Sequence, residues 1–233
     1  MTVLLLRLAG PLQSWGSSSR FARRGTEAAP TKSGVLGMLA AAKGMRRTDP
    51  LTELLRLEFG VRIDQPGQIM RDFQTARTLD GRDSMPLTYR FYLSDAVFLA
   101  AVSGEEELLR GLAEALERPQ FPLYLGRRSC PPAGRISLGV HGESLDEALT
   151  GWPWLAADWY KRRASRSVRL EIIRDVRPGE LSSEVLPDEP VSFDPARREY
   201  SWRSVVRAHV DVDNDDPDRA GVTEHDPLSL LGG

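Results

Sequence analysis

Guanidinium groups, a glycine turn and a helix start crowd the first 34 residues of this chain. The turn Gly10-Pro11-Leu12-Gln13-Ser14-Trp15-Gly16 carries one large aromatic at its tip. Arg20, Arg23 and Arg24 follow around Phe21, then Thr26, then Pro30-Thr31-Lys32-Ser33-Gly34 opening an apolar helix. Each of these pieces can hold phosphate oxygens. Loop glycines expose backbone N–H groups, guanidinium forks bind phosphate bidentately, and a helix start offers free N–H donors with a partial positive charge. Two more basic segments lie downstream. Arg71, Arg77, Arg82 and Arg90 surround Asp80-Gly81, a hairpin signal. Leu125-Gly126-Arg127-Arg128-Ser129-Cys130-Pro131-Pro132 is a further Gly-Arg loop. Alone, each has a plainer reading: a turn of solvated arginines, or a core anchor in the case of Trp15. The argument for a polyanion partner rests on several such segments falling on one small scaffold.

Other chemistries fit the residues less well. Lys32-Ser33 ends like a nucleotide-binding P-loop, but both glycines of that pattern are replaced, by Thr26 and Thr31. Asp211, Asp213, Asp215 and Asp216 begin like a calcium loop, but Asp216 stands where its glycine belongs and Val222 where its last glutamate belongs. Metal-free RNA cleavage needs a base on the 2′-hydroxyl and an acid on the leaving oxygen. The three histidines, His141, His209 and His225, all lie outside the basic half, and nothing gathers Tyr89, Tyr92 and Lys43. A single cysteine, Cys130, excludes an intrachain disulfide and a Cys-rich zinc site. Val3–Leu8 is too short for a signal peptide and is interrupted by Arg7. The expectation is a cytoplasmic protein with no cofactor, no bound metal and no membrane contact.

Net charge is only −2, yet the signs are separated along the chain. Residues 1–90 carry 14 Lys and Arg against 8 Asp and Glu, whereas residues 166–233 carry 9 against 15. A basic half points to an anionic partner, and an acidic end to solvation or a basic protein neighbour.

The elements that must position these groups follow from hydrophobic pattern. Val3–Ala9 reads as a buried strand and Lys32–Met45 as a helix of small residues. Leu51–Phe59 reads as a second helix behind Pro50, and Val61–Asp64 as a short strand. Gln68–Ala76 and Leu87–Leu93 form the basic hairpin, Ala96–Val102 a buried strand, Gly104–Glu117 an amphipathic helix, and Arg135–Val140 a last strand. The expected fold is α+β: a ferredoxin-like (RRM-type) core over residues 1–142, in the order β-α-β-β-α-β, with a projecting β-hairpin thumb at about 68–93. Residues 143–233 are expected as a smaller β-rich C-terminal part. It holds the cluster Trp152, Trp154, Trp159 and Tyr160 ahead of Lys161-Arg162-Arg163, strands at Ser167–Val176 and Tyr200–Val210, and an acidic tail from about 211.

Seven ordered motifs carry a family resemblance. They are the Gly10–Gly16 turn, Arg24-Gly25-Thr26, Pro30 to Gly37, Phe59-Gly60-Val61-Arg62-Ile63-Asp64, Asp72-Phe73-Gln74-Thr75-Ala76, Arg90 to Ala96, and Leu125 to Pro132. Together they resemble the type I-E branch of the fifth CRISPR-associated protein family, part of a superfamily of repeat-associated RNA-binding proteins with RRM-like units. The resemblance is strong over residues 3–140 and loose beyond. It implies a non-catalytic, RNA-binding subunit of the Cascade ribonucleoprotein complex of antiviral defence. Such a subunit caps the helical protein backbone and grips the 5′ handle of the guide RNA (crRNA). Its thumb packs on the adjoining backbone subunit; the large subunit is a further partner, and target DNA is met only indirectly. The residues expected at the RNA are Gln13, Trp15, Arg20, Arg23, Arg24, Thr26, Thr31, Lys32, Ser33, Arg71, Gln74, Arg77, Arg90, Gly126, Arg127, Arg128 and Ser129. Because some relatives cut precursor RNA, a metal-independent endoribonuclease stands as the alternative.

Overall fold

A computed structural model describes residues 1–16 and 23–215, with the backbone alone for Arg23. A seven-stranded sheet forms its centre. Strand β1 (Val3–Ala9) lies in the middle of the N-terminal half, flanked by β7 (Val97–Ser103) and β8 (Ser137–His141). Strand β4 (Glu58–Gln65) pairs with the other edge of β7. The order β8-β1-β7-β4 is antiparallel at every step.

Both faces of this sheet are covered, which is why β1 and β7 are nearly continuous apolar runs. Leu4, Leu6 and Leu8, with Phe98, Ala100 and Val102, face helices α1 (Lys32–Ala42) and α2 (Glu106–Glu117). Val3, Leu5, Leu99 and Ala101 face the short helix α3 (Leu145–Gly151). Period-two alternation thus feeds two cores from the same strands. Each such buried side chain contributes about 1.5–3 kcal/mol relative to exposure.

The C-terminal half extends this same sheet and does not stand apart at residue 142. Strand β9 (Ser167–Asp175) pairs with β4, and β11 (Glu199–Asp213) and β10 (Glu184–Ser192) follow outward. Of the acidic tail expected from about 211, the first three residues belong to the sheet, and everything after Asp215 lies outside the described residues. Asp211–Asp213 are strand, paired with Arg169–Ser167, and Asn214 is buried. The sequence pattern passes over β10 because it holds Pro187 and Pro190; an edge strand tolerates proline, having one side free of partners. The helix expected over Leu51–Phe59 is only a 3-10 turn at Leu54–Arg56, since Phe59 is drawn into β4 opposite Val102. A capping box, Ser144 with Glu147, starts α3 and was a readable signal.

The segment expected as the thumb is a hairpin. Strands β5 (Gln68–Gln74) and β6 (Thr88–Ser94) are antiparallel. Two short strands, β2 (Leu12–Gln13) and β3 (Arg23–Arg24), also add to β6, giving a second, small sheet. Register divides the hairpin into two faces. Ile69, Arg71, Phe73 and Tyr89 share one; Asp72, Gln74, Arg90 and Tyr92 share the other. No described helix is long and apolar enough to cross a membrane.

Candidate nucleic-acid interface

The Gly10–Gly16 turn spends its polar side chains inward. Gln13 donates to the carbonyls of Leu8 and Ala96 at 3.1 and 2.7 Å and accepts from Trp15 Nε1 at 3.0 Å. Trp15 is fully buried, and its ring lies on Gly34 of α1, where a Cβ would come within 2.8 Å of it. Both residues were expected at the RNA; both instead lock the turn to the core. The Trp15 amide donates to Thr26 Oγ1 at 2.9 Å, so Thr26 also serves the loop.

The helix start is already occupied. Thr31 caps α1 by accepting from the Gly34 amide at 3.3 Å, and the Lys32 amide donates to Asp188 Oδ2 at 2.9 Å. The Lys32 ammonium is buried between Asp175 and Glu189, at 3.1 and 3.0 Å. Arg203 joins the same cluster through Asp188 and Asp175, which together hold its guanidinium above its ordinary pKa against the opposing effect of burial. A carboxylate from β10 thus fills the place where phosphate was expected, and Lys32 is a structural cation.

Arg127 is a clamp as well. It donates to the carbonyls of Phe91, Arg24 and Gly25 at 3.2, 2.8 and 3.1 Å, and lies over the Tyr92 ring at 4.9 Å. It ties the basic loop to the thumb base. Gly126 has φ +89, and a Cβ there would sit 1.8 Å from the Ser14 carbonyl oxygen. Its missing side chain permits this close approach of two loops within the chain. Cys130 is buried beneath the loop, and that burial raises its thiol pKa.

What these clamps build is a groove of about 1210 Å³ between the Ser14–Gly16 turn, the start of α1, the thumb base and the Gly126–Ser129 loop. Six arginines line it: Arg24, Arg47, Arg90, Arg127, Arg128 and Arg198. Its described lining contains neither a carboxylate nor a histidine, and none of the six makes an ion pair with a described residue. Arg90 is the sharpest case: its Nε is shut off from solvent and has no acceptor among the described residues. A buried N–H without a partner costs about 1–3 kcal/mol, so Arg90 presents a donor that the described residues leave open.

Of the expected residues, Arg24, Thr31, Ser33, Gln74, Arg90, Gly126, Arg127, Arg128 and Ser129 line this groove, along with the buried Trp15. Arg71 does not: it lies on the other thumb face, over the Tyr89 ring at 5.6 Å. Arg77 sits near the thumb tip, bridged to Ser84. Arg20 and the side chain of Arg23 lie outside the described residues. The sequence reading missed Arg47, Arg198 and Tyr200. The pair Arg46-Arg47 after α1 was a visible signal; Arg198 was not, since β11 brings it from an acidic half.

A model of the family described as CRISPR-associated protein (Cas_Cas5) matches residues 3–206. The chain belongs to the Cas5 family. The Cascade subunit CasD of Escherichia coli (strain K12) is 32% identical over 185 residues, covering 69% of this chain and 81% of that one. Among solved structures, a chain of a CRISPR RNA-guided surveillance complex matches with a TM-score of 0.72 and 35% identity, over 91% of both chains. A crystal structure of a Cas protein matches at 0.69 and 35%, over 94% of this chain and 98% of that one. The Cas5 match runs through β9, β10 and the first half of β11, the strands whose acidic residues hold Lys32 and α1.

Proposed function

We propose that this protein is the CasD-like subunit of a type I-E Cascade complex and grips the 5′ handle of the guide RNA in the six-arginine groove. The observation that carries this reading is Arg90, a buried guanidinium N–H without an acceptor among the described residues, at the wall of a cleft whose described charged lining is all arginine. Phosphate supplies the missing acceptor, and a handle threaded along the groove supplies several. Strands β8-β1-β7-β4 with α1 and α2 make the ferredoxin-like, RRM-type core of this reading. The exposed thumb face of Ile69, Phe73 and Tyr89 docks on the adjoining backbone subunit, with the large subunit nearby and target DNA reached indirectly. The protein works in the cytoplasm and holds RNA without cutting it. Tyr92 hydroxyl lies 3.4 Å from Ser129, and Lys43 is paired with Glu53 at 3.0 Å.

Titration of labelled handle RNA against the purified protein across a salt series tests this, alongside co-purification with coexpressed Cascade components. Neutralising roughly five phosphates gives a log–log salt slope of about −3 to −4. Equal affinity for a scrambled handle would leave only a generic RNA-binding module. Cleavage of repeat RNA at the handle boundary would promote the endoribonuclease.

A further inference from the structure

A second basic surface lies away from the groove, on the sheet face opposite α1. Helix α4 (Asp158–Lys161) and the turn after it place Trp159, Lys161, Arg162, Arg163 and Arg166 together. Four cations fall within six residues, and none makes an ion pair with a described carboxylate. Elsewhere this acid-rich chain pairs its cations freely: Arg174 with Asp146 and Glu180, Arg207 with Glu171 and Glu184, Arg135 with Glu117.

The turn is also fixed in place. Asn214, buried at the end of β11, donates its side-chain amide to the carbonyls of Lys161 and Ser165 at 2.7 and 3.2 Å, and its backbone N–H to Arg166 at 2.8 Å. Below it, Trp154 and Ala156 pack on Leu170. Trp159 by contrast is 43% exposed, with the Arg163 guanidinium 5.6 Å above its ring. A large apolar ring left in water, capped by a guanidinium and flanked by cations that form no ion pair with a described residue, is the chemistry of a stacking platform beside a phosphate track.

We propose that the Trp159–Arg166 turn is a second binding site for single-stranded nucleic acid, distinct from the guide-RNA groove. One unpaired base stacks on Trp159, and Lys161, Arg162, Arg163 and Arg166 follow the adjoining phosphates. An exposed indole favours a single strand over a duplex, because a paired base offers no free face.

The test uses the full chain with Arg90→Glu and Arg128→Glu, which disable the groove, and labelled dT20 and rU20 as probes in fluorescence anisotropy at low salt. This parent is expected to keep measurable oligonucleotide binding. Adding Arg162→Glu and Arg163→Glu weakens it at least tenfold and flattens the log–log salt slope by about 1–2. Trp159→Ala weakens it roughly fivefold or more with the slope unchanged. In the wild-type background the same turn changes leave handle-RNA affinity unaltered, which separates this site from the groove. Tighter binding of dT20 identifies DNA as the source, and tighter binding of rU20 identifies RNA. The proposal fails if the parent does not bind either probe, or if the turn variants bind as the parent does. It fails equally if those variants spare oligonucleotide binding but lose co-purification with Cascade components, which makes the turn a protein contact. Matching melting temperatures for all variants confirm that the fold is intact.

Discussion

Arg90→Met separates stability from function with opposite signs. Methionine keeps most of the apolar stem of Arg90 and deletes the guanidinium whose Nε has no acceptor among the described residues. An unsatisfied buried donor costs about 1–3 kcal/mol, so its removal relieves the free protein. For a chain of this size each kcal/mol moves the melting temperature by about 2–4 °C. The variant is therefore expected to melt at the wild-type temperature or a few degrees above it. In the RNA complex the same change removes a charge-assisted bond worth about 1.5–3 kcal/mol, or about 10- to 150-fold in affinity. The log–log salt slope should become shallower by about 0.7, one phosphate's share. Thermal unfolding without RNA and handle titration at several salt concentrations read the two effects independently. Arg90→Lys should keep the slope and lose part of the affinity, because an ammonium lacks the planar fork. A variant that melts lower and binds handle RNA as tightly as wild type refutes the reasoning.

Arg62→Leu strips a fully buried pair: Arg62 bonds Asp64 at 2.7 and 2.9 Å and the carbonyls of Leu149, Trp152 and Pro153. Leaving Asp64 unpaired costs about 3–5 kcal/mol, a fall of roughly 6–20 °C in melting temperature; a shift under 2 °C contradicts the assignment. Gly126→Ala forces a left-handed φ on alanine and drives its Cβ into Ser14. It should lower both the melting temperature and handle affinity, with an unchanged melting curve counting against the close approach. Ile69→Asp with Phe73→Asp alters side chains that are 69% and 65% exposed. Melting should be unchanged while incorporation into Cascade drops, read by co-purification on guide RNA. Glu180 is held down to about 2 by the hydrogen bond from Arg174, with help from the Arg177 amide. A depressed carboxylate stabilises the fold above its ordinary range near 4.5 and loses that effect as pH falls toward 2. The melting difference between wild type and Glu180→Gln should be full at pH 6 and shrink below about pH 4.5; a difference independent of pH removes this linkage.

Residue type was legible in the sequence; direction was not. Gln13, Trp15, Lys32 and Arg127 all have the chemistry of RNA contacts, and all four also bond or pack within the protein, Trp15 and Arg127 while lining the groove. Lys32 shows why. Its partners Asp175 and Glu189 lie over 140 residues later, and only the pairing of β9 with β4 brings them to α1. The same long-range pairing hid Arg198 in a half that counts as acidic. The place of Arg90 on the groove side of the hairpin was readable because hairpin register alone fixes its face. Strands β1, β4 and β7 and helices α1 and α2 were visible from local periodicity, whereas β10, broken by two prolines, needed its place at the sheet edge to make sense.

The carboxylate that Asp188 lends to the first turn of α1 sets an order of events during synthesis. A nascent chain released only as far as α2 lacks the carboxylates that hold the Lys32 amide and the Lys32 ammonium. That intermediate is a ready anion trap in a cell full of RNA. The wall that includes Pro195, Arg198 and Tyr200 does not yet exist at that stage either. Arrival of β10 and β11 closes the trap and completes the groove in one step, since the hairpin that brings Asp188 to the helix also brings Arg198 to the cleft. The last strands thus do two things at once: the hairpin that holds the start of α1 also walls the groove.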